Sequence, residues 1–275
     1  LLPVFRFATG TFTYLFATPA SFPDYCRLNY LKSTLPFIYT NVPMTSIEQL
    51  FTAIGGEFVS PYTIVAQKAK AVDAYLFDWD GVFNNGIKHD ETGSPFSEIE
   101  AMGINLVRFG HWLRTGRFPL TMIITGENNP AAIKLATREH FDAVYFKFKN
   151  KKEALAHLTS THHIHPEKVA FAFDDVLDLP VTLWAGLRLM IRRTASPMLA
   201  HFVKSRGYCE YMTGHTGATH AVREICELLL AVNGNFDEVV EKRLAFDDDY
   251  TQYINLRNEL PTKIFAWENN AVREL

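Results

Sequence analysis

Residues 71–83 read AVDAYLFDWDGVF, a mostly apolar run that meets two carboxylates and a glycine. An apolar run this short, rich in aromatic and branched side chains, suits a parallel strand buried on both faces. Aspartate is disfavoured inside strands, so Asp78 and Asp80 mark the point where this one ends. Gly81 then permits the tight exit that lets both carboxylates converge on one ligand.

Four more such runs follow: LTMIIT (120–125), DAVYF (142–146), VAFAF (169–173) and LRLMI (187–191). Helix-like segments separate them, at 102–114, 129–140 with Pro130 in its first turn, 150–159 and 177–185. A further helix is expected over 218–232, whose AVREICELLLAV carries a clean apolar stripe and stops at Gly234. Strands alternating with helices predict an α/β fold, a doubly wound parallel sheet, over 71–234. Upstream, Met44 opens MTSIEQLFTAIGG, with Ser46 placed as an N-cap and Gly55-Gly56 as the stop, so 44–70 reads as a helical segment. Downstream, the acidic and aromatic FDDDYTQYINL (246–256) makes 235–275 an expected helical extension or interface arm.

Across 275 residues the chain is 48% hydrophobic and 21% charged, with a formal net charge of −3, which is the balance of a globular protein with a sizeable core. It offers no electrostatic reason to bind nucleic acid or an anionic membrane, and no run of about 18 apolar residues suggests a spanning helix. Cys26, Cys209 and Cys226 are far apart and form no CxxC pair, which fits a reducing compartment such as the cytoplasm. Residues 1–43 stand apart, with ten Phe or Tyr and only four charged residues. Three readings stay open there: translation upstream of a start at Met44, a signal peptide, or an extension packed on the body. The expectation is a dispensable leader.

In an open parallel sheet the ligand site lies beyond the carboxyl ends of the strands. At that edge this sequence sets Asp78 and Asp80, Thr125-Gly126, Asp174-Asp175, and Asp178 one turn beyond Asp174, while Lys151 opens a helix. Clustered carboxylates repel, so their coexistence implies a cation, and hard oxygen donors suit Mg²⁺. An aspartate beside Mg²⁺ is a competent nucleophile toward phosphorus, because the metal and a lysine neutralise the phosphoryl oxygens. A second carboxylate two residues on can protonate a leaving oxygen and later take a proton from water.

In that order, FDWDGVF, IITG, the Lys151 segment and FDDVLD resemble the four motifs of the haloacid dehalogenase (HAD) superfamily of phosphohydrolases. DWDGVFNNG, YFKFKNKKEAL, DDVLDLPV and AVREICELLL are similar to its capless subclass, which includes the 3-deoxy-D-manno-octulosonate 8-phosphate (KDO 8-phosphate) phosphatases. The resemblance implies a Rossmann-like core with Asp78 as nucleophile and Asp80 as general acid/base. It implies that Thr125 holds the transferring phosphoryl group and Lys151 neutralises it, with Lys149 and Lys152 as rivals to Lys151. Mg²⁺ would be held by Asp78, Asp174 and the main-chain carbonyl of Asp80, with Asp175 as a second ligand candidate. Asp178 would orient Lys151 or the metal waters, and Gly81 and Gly126 would support the loops. The subclass has no large cap domain, carries a β-hairpin flap and forms a homo-oligomer, a tetramer. The matching flap here is GIKHDETGSPFSEIE (86–100), turning at Glu91-Thr92-Gly93-Ser94.

Several positions depart from that subclass. Ile99-Glu100-Ala101 stands where those enzymes carry Arg-Asp-Gly, Thr125-Gly126-Glu127 where they carry Thr-Gly-Arg, and Phe173 where a glycine precedes the fourth motif. Two lost cations matter to a sugar acid, whose carboxylate favours arginine. Glu127, Arg192 and Arg193 are the candidate substrate contacts. The expected activity is Mg²⁺-dependent hydrolysis of a small phosphorylated sugar or sugar acid. The alternatives are a nucleotide or other small ester, or a catalytically idle regulatory module. A phospho-signalling receiver is disfavoured, since its acidic pair precedes its lone acceptor aspartate. His162-His163-Ile164-His165 reads as a solvated loop rather than a zinc site, and Met102, Trp112 and Trp184 as core.

Overall fold

The computed structural model describes residues 46–89 and 91–275, so the leader at 1–43 lies outside the described residues. The elements run α1 (Ile47–Ala53), β1 (Glu57–Phe58), α2 (Tyr62–Lys70), β2 (Ala74–Asp78), α3 (Glu98–Thr115), β3 (Leu120–Ile124), α4 (Pro130–Arg138) and β4 (Ala143–Phe146). They continue with α5 (Lys151–His162), β5 (Val169–Phe173), α6 (Leu179–Thr182), β6 (Leu187–Met190), α7 (Pro197–Ser205) and β7 (Tyr211–Met212). The last are α8 (Ala221–Asn233), α9 (Phe236–Ala245), α10 (Asp248–Arg257), β8 (Lys263–Glu268) and β9 (Ala271–Glu274).

Among the described residues the strands form one sheet in the order β1-β7-β6-β5-β2-β3-β4-β8-β9. The neighbours from β7 through to β8 are parallel, and the two outermost pairs are antiparallel. The chain lays down β2, β3 and β4 in one direction, then returns to the other side of β2 for β5, β6 and β7. The carboxyl ends of β2 and β5 therefore meet at the topological switch point, where open sheets of this kind bind ligands.

Every residue of β2 is buried. Its alternation divides two cores: Tyr75 and Phe77 join the one built with α3, α4 and α8, while Ala74 and Leu76 join the one built with α5. The same period of two sends the Asp78 side chain to the α5 face and Trp79 to the α3 face. Ser46 caps α1 in a reciprocal capping box with Gln49, as its position in the sequence predicts.

Four expectations need correction. The 44–70 segment is not purely helical, since β1 lies within it and pairs with β7. The 235–275 extension is helical only through α10. Its end is a β-hairpin, and β8 joins the sheet in parallel with β4. KIFAWE buries Phe265 and Ala266 at its middle, and the hairpin turns at Asn269 and Asn270, both at positive φ (52° and 60°). Asparagine tolerates that region, so the Asn-Asn pair was itself a hairpin signal. The flap is shorter than the 86–100 arms suggest: among the described residues one antiparallel bridge, His89 to Gly93, closes the turn, and α3 takes over at Glu98. Met102 and Trp184 are exposed rather than core, the Trp184 ring lying under the Lys152 ammonium, whereas Trp112 packs partly buried against the core. No helix among the described residues is long and apolar enough to cross a membrane.

Candidate active site

Asp78 ends β2 and Asp174 follows β5 directly, with Phe77 paired to Ala172 in the register. Lys151 is the first residue of α5, whose start is capped by the Asn150 side chain. Its buried ammonium donates to Asp78 Oδ1 and, at 2.5 Å, to Asp178 Oδ1. The other Asp178 oxygen accepts from the Asp175 amide at 3.1 Å, which fixes the turn that presents it. One carboxylate oxygen from each of Asp78, Asp174 and Asp178 lies within 4.8 Å of the others, and all three residues are buried.

The electrostatics of this group are strained. Burial, then the neighbouring Asp178, push the Asp78 carboxyl well above the usual range against the opposing pull of Lys151. The same two causes raise Asp174 to about 7, against the pull of Arg193. Burial works to lower the Lys151 pKa, but Asp78 and Asp178 overcome it and hold the ammonium charged. Arg193 donates to Asp174 Oδ2, while Asp174 Oδ1 is buried with no hydrogen-bond partner among the described residues. Three carboxylates thus face two cations, with one acceptor bare. The donor set fits a hard divalent cation, which Asp78 and Asp174 would hold while Asp178 keeps Lys151 in place.

Gly81 has φ +88°, and a Cβ there would lie 2.1 Å from Asp174 Oδ2. Only glycine fits this exit from β2. Gly217, in the turn before α8, approaches the same loop so closely that a Cβ would sit 2.3 Å from the Gly81 carbonyl oxygen.

The remaining sequence candidates divide into those at the site and those away from it. Thr125, buried at the end of β3, and Asp80 are joined by the Asn129 amide, which donates 2.8 Å to Thr125 Oγ1 and 3.0 Å to Asp80 Oδ2. Ser94 donates to Asp80 Oδ1 at 2.5 Å. Asp175 does not join the carboxylate group: its side chain accepts from the Val176 amide at 2.6 Å and lies 3.7 Å from Arg193. Arg192 is tied to the Thr213 carbonyl and the Gly55 carbonyl, away from the carboxylates. Glu127, Lys149 and Lys152 are exposed, and Gly126 is half-buried, where a Cβ would meet only the Phe148 carbonyl oxygen at 3.9 Å. Beside Arg193 opens a cavity of about 380 Å³, lined by Arg192, Arg193, Thr194, His201 and Lys204 and by three apolar residues. Asn129 and Ser94 escaped the sequence reading. Asn-Pro reads as a helix start, and Ser94 as a turn residue, with no local sign that either reaches Asp80.

The chain matches no protein-family model. It is 31% identical over 183 residues to the KDO 8-phosphate phosphatase of Salmonella typhimurium, covering 66% of this chain and 89% of that one. The corresponding Escherichia coli K12 enzyme is 30% identical over 177 residues, 63% of this chain and 87% of its own. Among solved structures, a probable YrbI family phosphatase from Pseudomonas syringae superposes with a TM-score of 0.56 at 26% identity, over 66% of this chain and 98% of that one. The KDO 8-phosphate phosphatase of Moraxella catarrhalis, in complex with a magnesium ion, a phosphate ion and KDO, gives a TM-score of 0.55 at 26% identity, again over 66% and 98%.

Proposed function

The chain belongs to the KDO 8-phosphate phosphatase family of the HAD superfamily, and from that premise we propose that it is a Mg²⁺-dependent phosphomonoesterase acting through an aspartyl-phosphate on a phosphorylated sugar or sugar acid. The observation that carries this reading is the buried group of Asp78, Asp174 and Asp178, two of them held by Lys151, with Asp174 Oδ1 bare among the described residues. Asp78 and Asp174 would hold the metal, which would supply positive charge to offset the phosphoryl oxygens.

Asp78 Oδ attacks phosphorus and the ester P–O bond breaks, the leaving oxygen taking a proton from Asp80. Lys151 and the Thr125 hydroxyl stabilise the transferring group. Asp80 then takes a proton from a water that attacks the same phosphorus. The P–O bond to Asp78 breaks, releasing inorganic phosphate and regenerating the carboxylate. The cavity beside Arg193, with Arg192, His201 and Lys204 in its lining, supports an acidic substrate remainder. Val176, Leu177, Leu183 and Trp184 are exposed on the segment around Asp178, which favours a homo-oligomer whose partner subunit covers the open site. A cytoplasmic setting is part of the same proposal.

The test is phosphate release from KDO 8-phosphate, hexose phosphates, nucleotides and p-nitrophenyl phosphate, with Mg²⁺ or EDTA. Release should be EDTA-sensitive, should favour a sugar or sugar-acid ester, and should fall below about 1% in Asp78→Asn. A fully active Asp78→Asn would assign the nucleophile elsewhere, and a preference for nucleotides would replace the substrate class.

A further inference from the structure

We propose that Asn129 is a positioning residue for phosphoryl transfer: its one side-chain nitrogen ties the Thr125 hydroxyl to the Asp80 carboxylate and holds both in register. The inference rests on the roles given above to Asp80 and Thr125.

Asn129 occupies the N-cap of α4, immediately before Pro130. An asparagine there ordinarily turns its side-chain oxygen back to a free amide of the first helical turn. This one makes no capping bond. Its side chain is instead buried, with Nδ2 donating to Thr125 Oγ1 at 2.8 Å and to Asp80 Oδ2 at 3.0 Å. The nitrogen and not the oxygen of the amide thus faces Asp80. The cost is visible: Oδ1 is left buried without a partner among the described residues. Native proteins satisfy nearly all such atoms, so an exception calls for a reason beyond the helix it starts. Asn129 forgoes its cap and leaves an acceptor bare, and what it gains is the bridge.

The bridge has a chemical consequence at each end. Thr125 Oγ1 accepts from Asn129 and, more weakly at 3.4 Å, from the Glu127 amide. With both lone pairs engaged, the hydroxyl proton is left to donate, and a phosphoryl oxygen is an acceptor. Asp80 is held from both sides, by Asn129 and Lys88 on Oδ2 and by Ser94 on Oδ1. Ser94 is itself anchored, since the Trp79 indole donates to its carbonyl at 3.2 Å. One amide thereby cross-links the loop after β2 to the loop after β3.

The test compares kcat/KM for an alkyl ester, the preferred sugar phosphate, with that for p-nitrophenyl phosphate, whose stabilised phenolate departs without a proton. Asn129→Ala should lose about 100-fold on the alkyl ester and about tenfold on the aryl ester, because misaiming Asp80 harms only the first while misaiming Thr125 harms both. Ser94→Ala, which touches Asp80 alone, should lose selectively on the alkyl ester. If Asn129→Ala does not fold, Asn129→Asp keeps the volume, lacks the donor and carries the same expectation. Equal losses on both esters in both variants, or no loss, overturn the inference and leave Asn129 a structural residue. Wild-type protein that cleaves neither ester with Mg²⁺ overturns the proposed function first, and this inference with it.

Discussion

The carboxylate group ties stability to pH and to metal together. Asp174 is raised from its ordinary 3.8 to about 7 by burial and by Asp178, so between those values the folded chain keeps a proton that the unfolded chain has released. The stability this contributes is fully present below about pH 4 and is lost as pH rises through 7. One proton over one pH unit is worth about 1.36 kcal/mol, which makes the loss ~4 kcal/mol at most for Asp174, on the order of 10 °C in Tm. Asp78 shifts in the same direction from the same burial. On the proposed reading Mg²⁺ would bind the ionised carboxylates, so it should restore about 2.7 kcal/mol at a hundredfold excess over Kd at pH 8, and much less at pH 5, where the proton must first leave. Thermal unfolding at both pH values, with EDTA or Mg²⁺, measures all four states. Glu100, also raised to about 7 by burial, shifts stability the same way, so Asp174→Asn is the control. In that variant both the metal shift and its part of the pH slope should disappear. A metal shift equal at the two pH values, or a pH slope unchanged in Asp174→Asn, would refute the reasoning.

Gly81→Ala should cost about 1–2 kcal/mol for the left-handed backbone alone. Its Cβ, 2.1 Å from Asp174 Oδ2, should also weaken Mg²⁺ binding by more than about tenfold, read by titration calorimetry. Phe265→Ala removes a buried ring stacked 5.0 Å from Tyr145, and should lower stability in urea by about 3–5 kcal/mol while leaving turnover per folded molecule unchanged. Wild-type stability in that variant would make β8 a loose appendage rather than part of the sheet.

The parallel core was legible because each buried strand is its own short apolar run, and because the residues that follow it are hydrophilic for a local reason. Asp78, Thr125 and Asp174 lie at strand ends in the sequence, and the sheet carries them to one edge. Lys151 was separable from Lys149 and Lys152 only by its spacing to the motif. Burial distinguishes it in the structure, where the other two face solvent. The C-terminal hairpin was missed because the acidic helices before it dominate that region, while KIFAWE and the Asn269-Asn270 turn are short signals.

By itself, then, the sequence determined which residues end strands, and so which chemistry gathers at one edge: runs and spacings are local, and a strand end is a local event. What only the tertiary structure decided is which of those groups touch. Asp178 rather than Asp175 faces Asp78 and Asp174, Arg193 rather than Arg192 reaches Asp174, and Asn129 leaves its helix to bridge Asp80 and Thr125. Neighbouring residues in a turn point in different directions. Which one reaches the site depends on a loop's path against β-strands far away in sequence, and no spacing encodes that.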